Sequence, residues 1–279
     1  LTATARRRPL AARTGEASLT DEIIETAHAA ADAARAAVLP FFRVDELHAD
    51  SKLADGFDPV TEGDHAAEHA IRAVLAERRP RDAILGEELG HSTGDSGLTW
   101  VLDPIDGTRA FLSGAPTWGV LIAVSDASGP IYGVIDQPFI GERFEGGLGR
   151  ARYHGPRGHR TLATRPARQL SQSILFTTYP EVGTDAETAA FARVAARARL
   201  TRYGLDCYAY GLLALGQVDL VIEAGLAAYD IQAPIAVIEA AGGIVTDWQG
   251  NPASHGGRVL AAANREQHQA ALQLLSGPG

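Results

Sequence analysis

In the stretch WVLDPIDGTRAF, residues 100–111, two aspartates stand three positions apart behind an apolar run and are followed at once by Gly107-Thr108. Trp100, Val101 and Leu102 read as the end of a buried strand. Carboxylates in such a place cost free energy unless a cation or a set of donors meets them. Asp64 in PVTEGD, Glu87-Glu88 in GEE and Asp230 in AYDIQA also lie where strands end or helices begin. Side chains at such positions can converge on one cleft. Hard oxygen ligands without cysteine or clustered histidine suit Mg2+, which takes a few carboxylates together with substrate phosphate. The turn adds an anion site, because free N–H groups at the start of the next helix can cradle a phosphate. Gly107 lets the backbone come close to that anion. Pro104 and the turn would hold Asp103 and Asp106 on one side, with the Ile105 carbonyl between them. Each acid alone could be a cap or a surface residue; the four stretches together point to metal-assisted phosphate chemistry.

The elements that must position these acids can be read from periodicity. Ser18 to Leu39 is Ala-rich with apolar residues at helical spacing, capped by Ser18 or Thr20 and closed by Pro40. A turn at Asp58-Pro59 leads into a helix ending near Arg79. AILGEE and TWVLD are strands, and TWGVLIAVSD, IYGVIDQP and ERFEGGLG continue as antiparallel strands split by Gly and Pro turns. The second half alternates: SILFTTY (strand), AETAAFARVAARAR (helix), CYAYGLLALGQ (buried helix), VDLVIEA (strand), DIQAPIAVIEAAGG (helix), GIVTDW and GRVLAA (strands), and NREQHQAALQLLS (helix). The pattern is α/β with mixed sheets. The expected division is a disordered tail over 1–17, an N-terminal α+β half over 18–160 carrying most of the acids, and a C-terminal α/β half over 161–279.

Composition narrows the function. The 279 residues are 46% hydrophobic and 21% charged, with a formal net charge of −9. That balance argues against nucleic acid as a partner and makes metal ions necessary if the substrate is an anionic phosphate. The single cysteine, Cys207, excludes an intrachain disulfide. No apolar stretch approaches the ~20 residues of a membrane span. The Arg-rich start LTATARRRPLAARTGEAS has no apolar core, so a secretory signal is not expected. The expected compartment is the cytoplasm, or a plastid if that stretch is the remnant of a transit peptide. The chain has no methionine, so its numbering is expected to begin downstream of the native start.

GEE, WVLDPIDGTRAF and YDIQA…EAAGG resemble the successive signatures of the inositol monophosphatase superfamily, from about residue 20 to the C-terminus. The resemblance implies an αβαβα sandwich of the inositol monophosphatase and fructose-1,6-bisphosphatase type, lithium-sensitive, with two or three Mg2+ per site and a homodimeric assembly. By that resemblance Glu87, Asp103, the Ile105 carbonyl, Asp106 and Asp230 would hold metal. Asp64 would help hold a third ion through water and pair with Thr108. Thr108, Asp64 and Glu87 would be the catalytic residues, with Thr108 polarising the attacking water, and Gly107 with Thr108 would bind phosphate. Three departures stand out. Tyr229 replaces the usual Trp, Pro234 comes early in its helix, and a longer stretch after Lys52 displaces that residue from its usual place near the third metal.

GVIDQPFIGERFEG and RYGLDCYAYGLLALGQVDLVIEAGLAAYD are similar to the histidinol-phosphatase branch of that superfamily, which implies a role in histidine biosynthesis. Histidinol phosphate carries an ammonium and an imidazole, so its pocket needs acids beyond those on metals. Asp206, opening a buried helix, and Glu223, seven residues before Asp230, are the candidates. Asp206 could instead be a simple N-cap. Rival readings are a phosphatase for inositol-1-phosphate or 3′-phosphoadenosine 5′-phosphate, and a non-catalytic binding or assembly protein on the same fold. Two short patterns carry little: HAAEH (His65, Glu68, His69) matches a zinc-site pattern without a third acidic ligand, and GGLGRA lacks a dinucleotide fingerprint and reads as a hairpin turn.

Overall fold

The computed structural model describes residues 13–44, 49–51 and 59–277; Lys52 and Asp58 lie outside the described residues. Helix α1 is Arg13–Val38. It begins ahead of Ser18 and Thr20, the caps expected from sequence, and takes in part of the supposed tail, because Arg, Glu and Ala there are good helix formers. Its stripe of Ile23, Ile24, Ala27, Ala30, Ala31, Ala34 and Val38 is buried as the spacing requires. A 3-10 turn over Leu39–Phe41 ends it at Pro40, which has no N–H to continue the ladder. A small antiparallel pair, β1 (Ala49–Ser51) and β2 (Pro59–Thr61), follows.

Helix α2 is Glu62–Arg78. Then come β3 (Ala83–Gly86), β4 (Gly90–Ser92), β5 (Thr99–Asp106), α3 (Thr108–Leu112), β6 (Gly119–Asp126), β7 (Gly129–Gln137), β8 (Glu142–Gly147), β9 (Arg150–Gly155) and β10 (Gly158–Thr161). These strands form one 8-stranded sheet in the order β10-β9-β8-β7-β6-β5-β3-β4. The remainder is β11 (Ile174–Thr177), α4 (Asp185–Ala195), β12 (Leu200–Tyr203), α5 (Cys207–Ala214), β13 (Leu220–Leu226), α6 (Ala228–Ala240), β14 (Ile244–Thr246), β15 (Gly257–Ala262) and α7 (Arg265–Ser276). Its strands form a 5-stranded sheet, β12-β11-β13-β15-β14.

The layers run α1/α2, first sheet, α5/α6, second sheet, α4/α7: an αβαβα sandwich. Helix α6 is central because glycines let it lie directly on the strands. A Cβ on Gly133 would meet the Ala233 carbonyl oxygen at 2.4 Å, and one on Gly146 would meet Val237 Cα at 2.5 Å. Pro234 sits inside α6 and is buried; it offers no N–H to the carbonyl four residues back, that of Asp230. The strands β4, β9, β10 and β12 escaped the sequence reading because they are short, polar or exposed and lack an apolar period. Among the described residues no helix is long and apolar enough to cross a membrane.

Candidate active site

Strand β5 carries Asp103 and Asp106 into the space between the sheets. In a regular strand, residues three apart face opposite sides. Here Asp103 pairs with Leu121 and Asp106 with Gly119, so three steps on β5 match two on β6. This bulge returns Asp106 to the side of Asp103. Asp103 Oδ1 accepts the Ile105 N–H at 3.1 Å, which fixes the bend. Asp230, in the first turn of α6, accepts the Ala227 N–H at 2.7 Å. Carboxylate oxygens of Asp103, Asp106 and Asp230 all lie within 4.8 Å of one another.

The electrostatics of this cluster ask for a cation. Burial, then the charges of Glu87, Asp106 and Asp230, pushes Asp103 well above the ordinary carboxylate range. Burial, then Asp206 and Asp230, does the same to Asp106. Clustered carboxylates that raise one another's pKa are relieved by a divalent ion among them, and an all-oxygen set fits a hard one.

Asp64 approaches from α2. Its Oδ2 accepts the Thr61 N–H at 2.8 Å and the Thr61 hydroxyl at 2.6 Å. Its Oδ1 is buried with no hydrogen-bond partner among the described residues. Burial raises Asp64 to about 6 against the Thr61 bonds, with Glu88 and Glu87 adding to the rise. The pairing of Asp64 with Thr108 is therefore corrected: Thr61 is the partner, and the Thr108 hydroxyl donates to the Ile105 carbonyl at 3.1 Å. The nearer hydroxyl wins because the capping geometry of α2 holds it three residues away on the same turn.

Glu87 follows β3 and lines the same cleft. Its loop is anchored by Glu68, which is fully buried and accepts the N–H groups of Glu88 at 2.8 Å and Leu89 at 3.2 Å. In HAAEH, then, Glu68 points inward as a structural acceptor while His65 and His69 face solvent.

Helix α5 meets the Gly107-Thr108 turn from the second half. The N–H of Cys207 donates to Asp106 Oδ2 at 2.5 Å, so a residue 101 positions away caps α5. Asp206 stands at the cap position but makes no capping bond, which removes the N-cap alternative. Its backbone is strained, with φ 48° and ψ −142°. Gly107 has φ 87°, and a Cβ there would lie 2.8 Å from Asp206 Cγ; glycine is needed for both reasons. Burial raises Asp206 to about 6, opposed by Thr117 and Arg109.

Glu223, near the end of β13, is buried and accepts the Thr178 hydroxyl at 2.7 Å. Burial raises it to about 7, with Asp206 and Asp230 adding to the effect of burial and Thr178 opposing it. The Tyr210 hydroxyl is buried beside Glu223, and burial, then the charge of Glu223, pushes its pKa up. Sequence reasoning did not single out Thr178, Tyr179, Tyr210 or Arg109. Arg109 alone had a local signal, its place directly after the Gly107-Thr108 turn. All of these residues line one cleft of about 380 Å³ together with Glu87, Asp103, Ile105, Asp106, Gly107, Thr108, Asp206, Glu223, Tyr229 and Asp230; Asp64 is buried behind it.

A cleft between two sheets of an αβαβα sandwich, floored by mutually repelling carboxylates beside a glycine turn, defines a phosphatase of the metal-dependent layered class. The chain belongs to the inositol monophosphatase family, whose model matches residues 19–277. It is 39% identical over 267 residues to the bifunctional phosphatase IMPL2, chloroplastic, of Arabidopsis thaliana, covering 91% of this chain and 75% of that one. It is 32% identical over 260 residues to a histidinol-phosphatase of Streptomyces coelicolor, covering 91% and 96%. The solved structure of an inositol monophosphatase from Zymomonas mobilis matches with a TM-score of 0.81 and 38% identity, covering 92% of this chain and 98% of that one.

Proposed function

We propose that the chain is a Mg2+-dependent, lithium-sensitive phosphomonoesterase that hydrolyses histidinol phosphate. Asp103, Asp106, Asp230, Glu87 and the Ile105 carbonyl would hold the ions, with Asp64 contributing its partnerless Oδ1. Bound there, divalent cations would lower the pKa of a water and offset charge on the leaving oxygen. The chain's own part is positional. Gly107 and Thr108 hold the phosphate by their turn, and Asp106 locks that turn to α5 through the Cys207 N–H.

The observation that carries the substrate is a pair of acids, the half-buried Asp206 and the buried Glu223, beside the metal carboxylates. The ammonium of histidinol phosphate is separated from its bridging oxygen by two carbons. Its partner must therefore stand next to the phosphate turn, where Asp206 lies against Gly107. Glu223 is left for the imidazole. A neutral polyol would not need two desolvated acids, although the likeness to the Zymomonas mobilis inositol monophosphatase keeps inositol-1-phosphate as the second reading.

The test is phosphate release from histidinol phosphate and from inositol-1-phosphate, each with Mg2+ and with excess chelator. Preference for the first ester by at least tenfold in kcat/KM, abolished by chelator, is the expected outcome. Equal rates on both esters would remove the substrate assignment, and full activity in chelator would remove the metal as well.

A further inference from the structure

Beyond the acids, the cleft has an aromatic wall that the proposed reaction leaves unassigned. Tyr179, two residues past β11, is 45% exposed and stands at the rim of the cleft among its lining residues. Arg109, one residue past Thr108, donates from Nη1 to the Tyr179 hydroxyl at 2.9 Å, with its guanidinium carbon 5.3 Å from the ring centroid. Burial raises the Tyr179 hydroxyl pKa, Arg109 opposes this, and Asp206 and Glu223 add to it, so both specificity acids act on the ring's surroundings. The bend at Thr178 lets consecutive residues serve the same cavity: Thr178 orients Glu223 while Tyr179 forms the rim.

We infer that Tyr179 is a specificity residue that takes the flat ring of the substrate against its face, and that Arg109 is a positioning residue that holds it there. The inference rests on the reading of the substrate as a cationic, ring-bearing phosphate ester. A phenol face attracts a cationic or partly cationic heterocycle, more strongly where water is displaced. Glu223, the acid left for the imidazole, acts on the surroundings of the same Tyr179 ring, so wall and charge partner serve one group while Asp206 takes the ammonium. A rim side chain already fixed by a hydrogen bond loses less rotamer freedom on binding than a free one. The link also runs from the phosphate turn to the end of β11, which sets the distance between phosphate and ring.

The test compares histidinol phosphate with 2-aminoethyl phosphate, which keeps the phosphate and the ammonium but lacks the ring. The readout is the ratio of their kcat/KM values, with KM and kcat measured separately. Tyr179→Ala should lower that ratio about tenfold, chiefly through KM for histidinol phosphate. Tyr179→Phe keeps the face and should retain most of the ratio. Arg109→Met and Tyr179→Phe remove the same hydrogen bond, so the double variant should lose no more than the larger single loss. If Tyr179→Ala lowers both esters by the same factor, Tyr179 is only a staple between the turn and β11, and the inference is overturned. If the wild type shows no preference for the ring-bearing ester, the substrate reading fails first and this inference falls with it. A wild-type preference that survives Tyr179→Ala overturns the wall alone.

Discussion

The first sheet buries carboxylates in two places and treats them in opposite ways. On β7 and β8, Asp136 is fully buried but accepts from Arg35 at 2.7 and 3.1 Å and from Arg143 at 2.6 Å. Arg143 reaches on to Asp32 at 2.7 Å. Glu145 accepts from the Tyr132 hydroxyl and pairs with His28 at 2.9 Å and His154 at 3.2 Å. Burial alone would raise Glu145, but the bonds from His28, Tyr132 and His154 bring it down to about 2. On β5, burial and neighbouring carboxylates push Asp103 and Asp106 up together. One group takes its counter-ions from α1 and the adjacent strands and so fastens that helix to the sheet. The other has no such counter-ions, and its acids raise one another instead, which costs stability.

Substitutions at the two places should therefore separate activity from stability. Asp103→Asn should lower turnover by at least roughly a thousandfold at saturating Mg2+, while the chelated protein melts at the same temperature or higher. Near-normal kcat in the purified variant would reject the role. Asp136→Asn should do the reverse, since it leaves the buried Arg143 and the half-buried Arg35 short of their partner: a loss of about 3–5 kcal/mol in denaturant unfolding, with kcat per folded molecule unchanged. Unaltered stability there would mean the network is not what fastens α1.

The pH dependence follows the same division, and its sign can be worked out from each group. Asp64 and Asp206 are raised from 3.8 to about 6, and Glu223 from 4.5 to about 7. Raised acids contribute stability below their unfolded values and lose it as pH climbs through 6 to 7. Glu145, lowered from 4.5 to about 2, contributes above 4.5 and loses its contribution as pH falls toward 2. The melting temperature of the chelated protein should peak near pH 4, where the raised acids begin to lose their contribution and that of Glu145 is nearly complete, and excess Mg2+ should flatten the decline toward neutrality. A chelated protein more stable at pH 8 than at pH 5 would contradict this. Glu145→Gln should have a smaller effect, about 1–3 kcal/mol, and should make the acid limb shallower, the lowered carboxyls of Asp82 and Asp247 supplying part of what is left; an unchanged acid limb would assign it elsewhere.

Much of the site was legible because its acids end apolar runs. TWVLD, AILGEE and VDLVIEA announce strands, and acids at their ends announce a cleft. What could not be read depends on partners distant in sequence. The bulge that turns Asp106 to the side of Asp103 exists only in register with Leu121 and Gly119. The bond from Cys207 to Asp106 spans 101 residues, as do those from Arg35 to Asp136. The mispaired Asp64 shows the converse, since a local hydroxyl on Thr61 held the place assigned to Thr108. Tyr179 had no signal at all, because a tyrosine after a strand is ordinary until Arg109 and two acids are found beside it.

Titration of Mg2+ into chelator-stripped protein at pH 7.5, followed by thermal unfolding of the wild type and of Asp103→Asn and Asp136→Asn, separates the two kinds of buried acid in one experiment. Wild type and Asp136→Asn should each rise in melting temperature with Mg2+, the second from a lower start, while Asp103→Asn should start at least as high as wild type and rise little. If Mg2+ leaves the wild type unmoved, or stabilises Asp103→Asn as much as wild type, the carboxylates on β5 are not held for a cation.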